Sequence, residues 1–166
     1  MREALIICDA SPLILLAKIG ALDLLPLAAH RLVIPRAVWN EVVIPRTMRP
    51  EVEQIRERFA AAVVEADPAL AAAYALQVDS GEAEALALAA QHPESALLMD
   101  DARGRRLALA SGFRVVGTLG LIVRAKRSGQ ISEASPYLDR LKQHGLFVTP
   151  ALIAQALKAC KEEPPK

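Results

Sequence analysis

The chain has 166 residues, of which 53% are hydrophobic and only 4% aromatic, which is enough for one domain with an aliphatic core. The formal net charge of +1 excludes a strong overall field that would draw the protein to nucleic acid, although a local basic patch could still do so. The two cysteines are far apart and lack metal-ligand spacing, and the apolar runs are too short for a signal peptide or a membrane span, so we expect a reduced, soluble, cytoplasmic protein.

Strands and helices alternate along the first half of the chain. The first predicted strand covers residues 5–9, and Ser11 is expected to cap the helix that follows, with Pro12 at its first position and Gly20 just past its end. The segments after it are predicted as a strand at 31–34, helices at 36–43 and 51–59, and a strand at 61–64.

The second half continues the same alternation. Helices are predicted at 80–92, 102–111, 118–128 and 132–144, strands at 96–99 and 114–116, and a last helix after the capping residue Thr149. This order predicts an α/β fold, a three-layer α/β/α sandwich around a mainly parallel sheet of about five strands. We expect a single domain over residues 1–161 and a disordered tail over residues 162–166.

Acidic residues follow two of the predicted strands. Asp9 ends the first strand, and Asp100 with Asp101 ends the fourth. In an open parallel sheet the ligands collect at the carboxyl ends of the strands, so these carboxylates can meet in space. Crowded carboxylates favour a proton or a cation between them, and Mg²⁺ prefers oxygen ligands. The pattern therefore indicates metal-dependent phosphate chemistry.

Each of these acids also has a structural alternative. Asp9 can cap the first helix, and one of Asp100 and Asp101 can cap the helix that begins at Ala102, which leaves the other without a structural role. The arginines that follow could instead neutralise this pair. Glu41 lies beside an apolar helical stripe, where it either faces the site or is solvated.

An acidic first turn opens the Ala/Leu-rich helix that begins near Ser80. Glu82 and Glu84 are both favoured there by the helix dipole. Residues two apart on a helix point about 200° away from each other, so at most one of the two glutamates can face a common site.

Every charged residue between residues 103 and 130 is basic. This stretch either forms a phosphate-binding surface beside the acids or is a solvated helix face balanced by acids elsewhere. The residues concerned are Arg103, Arg105, Arg106, Arg114, Arg124, Lys126 and Arg127. The histidines share no motif with the acids, and Gly117 to Gly120 lack the lysine and the length of a phosphate-binding loop. Thr118 there is expected to cap its helix or to contact a phosphate or a metal-bound water.

Taken in order, the acidic motifs resemble those of a PIN-like domain, the family that includes the VapC toxins. The resemblance is carried by residues 8–13, 38–42, 84–89 and 98–101. Residues 100–103, 116–121 and 125–129 resemble more closely a prokaryotic subgroup described as probable nucleic-acid-binding proteins. This chain departs from the family pattern in having Glu rather than Asp at the third acidic position and Met99 where a threonine is usual.

The resemblance implies a PIN-like fold and hydrolysis of RNA by a ribonuclease that holds Mg²⁺ or Mn²⁺ in a ring of acids. It assigns catalysis to Asp9, Glu41, Glu84 and Asp101, and metal binding to these four together with Asp100. Supporting positions fall on Ser11, Thr118 and Glu82. The backbone of RNA, with DNA as the alternative, would be held by Arg103, Arg105, Arg106, Arg124, Lys126 and Arg127.

The same resemblance implies partners and leaves rival functions open. A toxin of this family would have a cognate antitoxin and would form a homodimer. The main alternative is a non-catalytic nucleic-acid-binding module of the same fold. A receiver-like phosphoacceptor is disfavoured because no lysine follows the fifth strand. A phosphatase with an aspartate nucleophile is disfavoured because Asp9 lacks a second Asp two residues later.

Overall fold

The computed structural model describes residues 3–44, 49–146 and 148–162. The strands are β1 (Glu3–Cys8), β2 (Ala29–Pro35), β3 (Val63–Val64), β4 (Ser95–Leu98) and β5 (Arg114–Val116). The helices of the first half are α1 (Ala10–Lys18), α2 (Leu24–Ala28), α3 (Arg36–Val43), α4 (Pro50–Phe59) and α5 (Pro68–Tyr74). Those of the second half are α6 (Ser80–Gln91), α7 (Ala102–Ala110), α8 (Thr118–Arg127), α9 (Ser135–Gln143) and α10 (Pro150–Ala159).

The strands form one five-stranded sheet in the order β3-β2-β1-β4-β5, and every pairing is parallel. Ile6 in the central strand aligns with Leu32 of β2 on one side and with Ala96 of β4 on the other. The chain moves outward from β1 in one direction through β2 and β3, then in the other through β4 and β5. The reversal lies between β1 and β4, where open α/β sheets bind their ligands. The expected α/β fold with a parallel sheet is confirmed.

Both faces of the sheet are covered, which explains why its central strand is a continuous apolar run. Side chains alternate between the faces, so that Ile6 and Cys8 pack into one core while Leu5 and Ile7 pack into the other. The first core lies under α1, α4, α8, α9 and α10, and the second lies under α6 and α7. Within the described residues, no helix is both long enough and apolar enough to cross a membrane.

Some elements differ from the expectation. The first helix begins at Ala10 with Asp9 as its N-cap, two residues earlier than the predicted cap Ser11, which is exposed on the first turn. The short helices α2 and α5 were not predicted from the sequence. Helix α5 is capped by Asp67, whose Oδ1 accepts hydrogen bonds from two backbone N–H groups of its first turn. The predicted helix ends at Gly20 and Gly112 are confirmed by their positive φ angles.

Glu162, the first residue of the expected disordered tail, contacts the start of α9. Its carboxylate accepts hydrogen bonds from the backbone N–H groups of Ala134, at 2.8 Å, and Ser135, at 2.9 Å. A helix N-terminus offers unsatisfied N–H groups, so this contact holds the end of α10 against α9. The rest of the expected tail, residues 163–166, lies outside the described residues.

Candidate functional site

Carboxylates from four segments of the chain meet at the carboxyl edge of the sheet, where β1 and β4 end. We call this group the acidic cluster, and it consists of Asp9, Glu41, Asp79, Glu82, Asp100 and Asp101. The ends of the two strands are level, because the backbone N–H of Asp9 donates to the carbonyl oxygen of Leu98 at 3.0 Å. The parallel register therefore brings together acids that are about ninety positions apart in the sequence.

Asp9 lies at the centre of the acidic cluster and is only 6% exposed. Burial raises the pKa of its carboxyl group to about 7, and the charges of Asp79, Glu41 and Asp100 add to that rise. A hydrogen bond from the backbone N–H of Ala10 acts in the opposite direction. A carboxyl group with such a pKa is poorly stabilised as an anion, so this position favours a bound proton or a cation.

The structure distinguishes between the two glutamates of the first turn of α6. Glu82 is buried among the other acids, and burial together with the charges of Asp79, Asp101 and Asp9 raises its pKa to about 7. Glu84 points elsewhere, and its Oε2 accepts a hydrogen bond from the backbone N–H of Ala37 at 2.7 Å. Ala37 lies in the first turn of α3, so Glu84 satisfies a helix N-terminus. The sequence analysis assigned the site position to Glu84 and the supporting one to Glu82, and the geometry favours the reverse.

Glu41 and Asp79 approach each other across Gly81. A Cβ atom on Gly81 would lie 3.2 Å from Glu41 Oε2 and 3.6 Å from Asp79 Oδ1, so the glycine leaves room for both carboxylates. Burial, and then the charge of Asp79, raises the pKa of Glu41. Asp79 also caps α6 by accepting a hydrogen bond from the backbone N–H of Glu82 at 2.9 Å.

The sequence analysis missed Asp79, although a signal was present. Asp79 and Glu82 have the three-residue spacing of a capping box, in which the first residue is the N-cap. The helix predicted from the sequence starts at Ser80, and only its two glutamates are expected to be functional. The structure shows that one aspartate both begins the helix and contributes charge to the acidic cluster.

Asp100 is held in place by the start of α8. Its Oδ1 accepts from the backbone N–H of Thr118 at 2.8 Å, and its Oδ2 accepts from the Thr118 hydroxyl at 2.6 Å. Thr118 is completely buried, so its hydroxyl orients Asp100 and does not meet solvent. The expectation that Thr118 supports the site is compatible with this contact. Ser11, the other residue expected to do so, is exposed on the first turn of α1.

Asp101 caps α7 and is the more exposed of the two adjacent aspartates. Its Oδ1 accepts from the backbone N–H groups of Arg103, at 2.8 Å, and Gly104, at 3.0 Å. The hydrogen bond from Gly104 is the main reason that the pKa of Asp101 is lowered, and a hydrogen bond with the Glu82 side chain contributes. Below about pH 7 Asp101 is therefore ionised while Glu82 binds a proton, so that the Glu82 carboxyl can donate a hydrogen bond to Asp101.

Four helices begin at the acidic cluster. Asp9, Asp79 and Asp101 are the N-caps of α1, α6 and α7, and Asp100 binds the first N–H of α8. The positive ends of these helix dipoles face the carboxylates and offset part of their mutual repulsion. This lowers the cost of bringing so many acids together in the folded chain.

The donor set suits a hard divalent cation, because every side chain of the acidic cluster offers carboxylate oxygens. Yet within residues 3–44, 49–146 and 148–162, no three His, Cys, Asp or Glu side chains are arranged to hold a metal ion directly. Asp79, Asp100 and Asp101 each direct an oxygen at a helix N-terminus instead. Mg²⁺ usually keeps several of its waters, so an ion at this site would contact some of these carboxylates through water.

The basic residues expected to line the site are divided by the fold. Arg103 and Arg106 lie exposed on the first turns of α7, next to Asp101. Arg105 lies on another side of α7, where its Nη1 donates to the carbonyl oxygen of Met99 at 2.8 Å, beside Asp100 and Gly117. These three arginines adjoin the acidic cluster, as the sequence analysis expected.

The other basic residues lie at the opposite end of the sheet. Arg124 forms an ion pair with Glu3 at 2.7 Å, and Glu3 is the first residue of β1, about 20 Å along the strand from Asp9. Lys126 pairs with Glu162 at 3.4 Å, and Arg127 ends the same helix. Helix α8 starts at the acidic cluster and runs away from it. A single basic surface from Arg103 to Arg127 is therefore not formed.

Comparison with known proteins agrees with the fold. The model of one protein family, described as a PIN domain, matches residues 5–162. No curated protein and no solved structure matches the chain. The family match confirms the resemblance to PIN-like domains and does not single out the VapC toxins among them. Because it covers nearly the whole length, the chain belongs to the PIN domain family.

Proposed function

We propose that the protein is a metal-dependent ribonuclease whose active site is the acidic cluster. The observation that carries this proposal is the meeting of six carboxylates at the switch point of the sheet, with the pKa values of Asp9 and Glu82 both raised to about 7. Membership of a family with a nuclease-type, nucleic-acid-binding fold supports it. Site chemistry and family therefore point to the same class of reaction.

In this proposal Asp9, Glu41, Glu82 and Asp101 hold the ion, Mg²⁺ or Mn²⁺. When bound, such an ion supplies an activated water and stabilises charge on the leaving oxygen of a phosphodiester. Thr118 fixes the direction of Asp100, and Asp79 fixes the start of α6 while adding negative charge. Glu84 is left out, because its carboxylate serves the N-terminus of α3.

The arginines at the start of α7 would position the RNA backbone. Arg103 and Arg106 are exposed beside Asp101, so a phosphate next to the acidic cluster can reach them. Contacts to phosphate give affinity and register but little choice of sequence. We therefore expect cleavage of single-stranded RNA with weak sequence preference.

The test is cleavage of a labelled single-stranded RNA with Mg²⁺ or Mn²⁺, with EDTA as the metal-free control. We expect Asp9→Asn and Glu82→Gln each to lower the rate by more than about a hundredfold, because each removes a charge from the metal site. Glu84→Gln is the matched control, because Glu84 lies two residues after Glu82 on the same helix but points away from the acidic cluster. This variant should keep most of the activity. Cleavage that survives Asp9→Asn combined with Asp101→Asn in a clean preparation would refute the proposal.

A second candidate is a nucleic-acid-binding module without catalysis. It is favoured by one observation, that no three described side chains are arranged to hold a metal ion directly. This candidate requires RNA binding without metal-dependent cleavage, so the same assay decides between the two. A toxin role, an antitoxin partner, a homodimer and a cytoplasmic location stay predictions from the sequence.

A further inference from the structure

A cleft lies beside the acidic cluster, between the connection from α5 to α6 and the first turns of α7. Its volume is about 340 Å³, near the lower end of the range for ligand sites. The residues that line it are Leu76, Gln77, Val78, Arg103, Arg106 and Leu107. Val78 is buried in the second core and Leu107 is half-buried against it, so the base of the cleft is apolar and fixed.

Both walls of the cleft continue directly into the acidic cluster. On one side Val78 is followed by Asp79, the N-cap of α6. On the other side Asp101, the N-cap of α7, comes two residues before Arg103. Each wall of the cleft is therefore adjacent along the chain to an acid of the acidic cluster.

The side chains of the cleft match a nucleotide. Arg103 and Arg106 are three positions apart on α7 and so lie on the same face. Among the described residues, neither forms an ion pair with an acid. Leu76 is 86% exposed and faces the same space. The charge of Arg106 contributes to the lowered pKa of Asp101, but both guanidinium groups are exposed. The cleft thus offers two exposed cations for a phosphate and one apolar side chain for the face of a base or a sugar.

We propose that this cleft binds the nucleotide next to the scissile phosphate of single-stranded RNA. The inference rests on the proposed function, and it adds a place and a direction for the strand. Arg103 and Arg106 hold one phosphate, Leu76 contacts the attached base, and the following phosphate lies at the acidic cluster. A repeating phosphodiester chain suits this geometry, since cationic and metal-binding sites follow one another along one path.

The experiment measures RNA affinity as a function of salt, with a fluorescent single-stranded oligoribonucleotide in Mg²⁺. Asp9→Asn serves as the background so that the RNA stays intact. Adding Arg103→Gln with Arg106→Gln should raise Kd more than about tenfold at 0.1 M salt. It should also make the slope of log K against log salt shallower by about 0.7, because the two arginines neutralise one phosphate and each neutralised phosphate of a single strand contributes about 0.7.

Leu76→Ser separates apolar contact from charge. We expect it to raise Kd about threefold with an unchanged salt slope, because it releases no counterions. Lys142→Gln with Lys158→Gln is the charge-matched control on α9 and α10, and it should leave both Kd and slope close to those of the background.

The outcomes distinguish this inference from the proposed function. If the wild-type chain neither binds nor cleaves RNA, the proposed function fails and the cleft has no strand to bind. If the wild-type chain cleaves RNA but the arginine pair behaves like the lysine pair, the cleft proposal is overturned and the nuclease stands. Displacement of RNA by polyglutamate at equal charge would also overturn it, because the cleft would then bind any polyanion.

Discussion

Replacing Asp9 with asparagine should stabilise the protein at pH 8 when divalent ions are absent. The pKa of this buried carboxyl rises from 3.8 to about 7 on folding. The folded state therefore binds the proton more tightly than the unfolded state, and folding stability falls as pH rises from about 4 to about 7. Each unit of difference corresponds to about 1.4 kcal/mol, so the ionised side chain costs about 4 kcal/mol at pH 8.

Asparagine keeps the shape and an oxygen that can accept the hydrogen bond from Ala10, but it carries no charge. We expect Asp9→Asn to raise the free energy of unfolding by up to about 4 kcal/mol at pH 8. Near pH 4 the change should be small, because the folded wild-type carboxyl is protonated and the unfolded one is only about half ionised. Urea unfolding in EDTA, followed by the fluorescence of the single tryptophan, Trp39, measures this difference.

Glu133→Gln, which neutralises an exposed acid, is the control and should show no such dependence on pH. Added Mg²⁺ should stabilise the wild type at pH 8 by about 2.7 kcal/mol at a hundred times its Kd, and the Asp9→Asn variant by less. An Asp9→Asn variant that is no more stable than the wild type at pH 8, or that is stabilised by the same amount at pH 4, would contradict the reasoning. It would show that burial and neighbouring acids do not destabilise the ionised Asp9.

Four further changes test the packing and the helix starts around the acids. Gly104→Ala should destabilise the protein by about 1–3 kcal/mol, because the new Cβ would lie 2.6 Å from Met99 Sδ and 2.8 Å from Glu82 Oε1. Gly120→Ala is the control, since its new Cβ would have its nearest contact at 3.5 Å. It should stabilise the protein by about 0.5–1 kcal/mol in the same urea titration. Thr118→Val removes the buried hydroxyl that donates to Asp100, so we expect a loss of about 1–3 kcal/mol in unfolding free energy and slower RNA cleavage. If neither the stability nor the cleavage rate changes, this hydrogen bond does not position Asp100. Glu84→Ala should cost about 1 kcal/mol of stability, as loss of a helix N-terminal partner does, while RNA cleavage continues.

The sequence was sufficient to predict the fold because local and long-range signals agreed. Apolar runs such as the one ending at Asp9 are typical of strands buried on both faces, and alternation with helices indicates a parallel sheet. The helices α2 and α5 escaped prediction because they are short, with five and seven residues, and show little periodicity. Such helices depend on tertiary packing, which a local pattern does not contain.

The acids that end β1 and β4 could be placed from the sequence, because strand ends in a parallel sheet share one edge. The choice between Glu82 and Glu84 could not, since both fit an acidic first turn and only the position of α3 decides which one is used as a helix partner. The sequence likewise could not show that the basic residues after Asp101 are divided between two ends of the sheet. Their continuity in sequence suggested one surface, but α8 carries Arg124 away from the site.

The helix N-termini around the acidic cluster do not depend on the acids for their direction, because the backbone sets it. If descendants of this chain exchanged their aspartates and glutamates for neutral residues, the peptide N–H groups of α1, α6, α7 and α8 would still aim at the same spot. Such a spot attracts phosphate or sulfate. Substitution of these side chains alone could therefore convert a cation-binding site into an anion-binding site on an unchanged backbone.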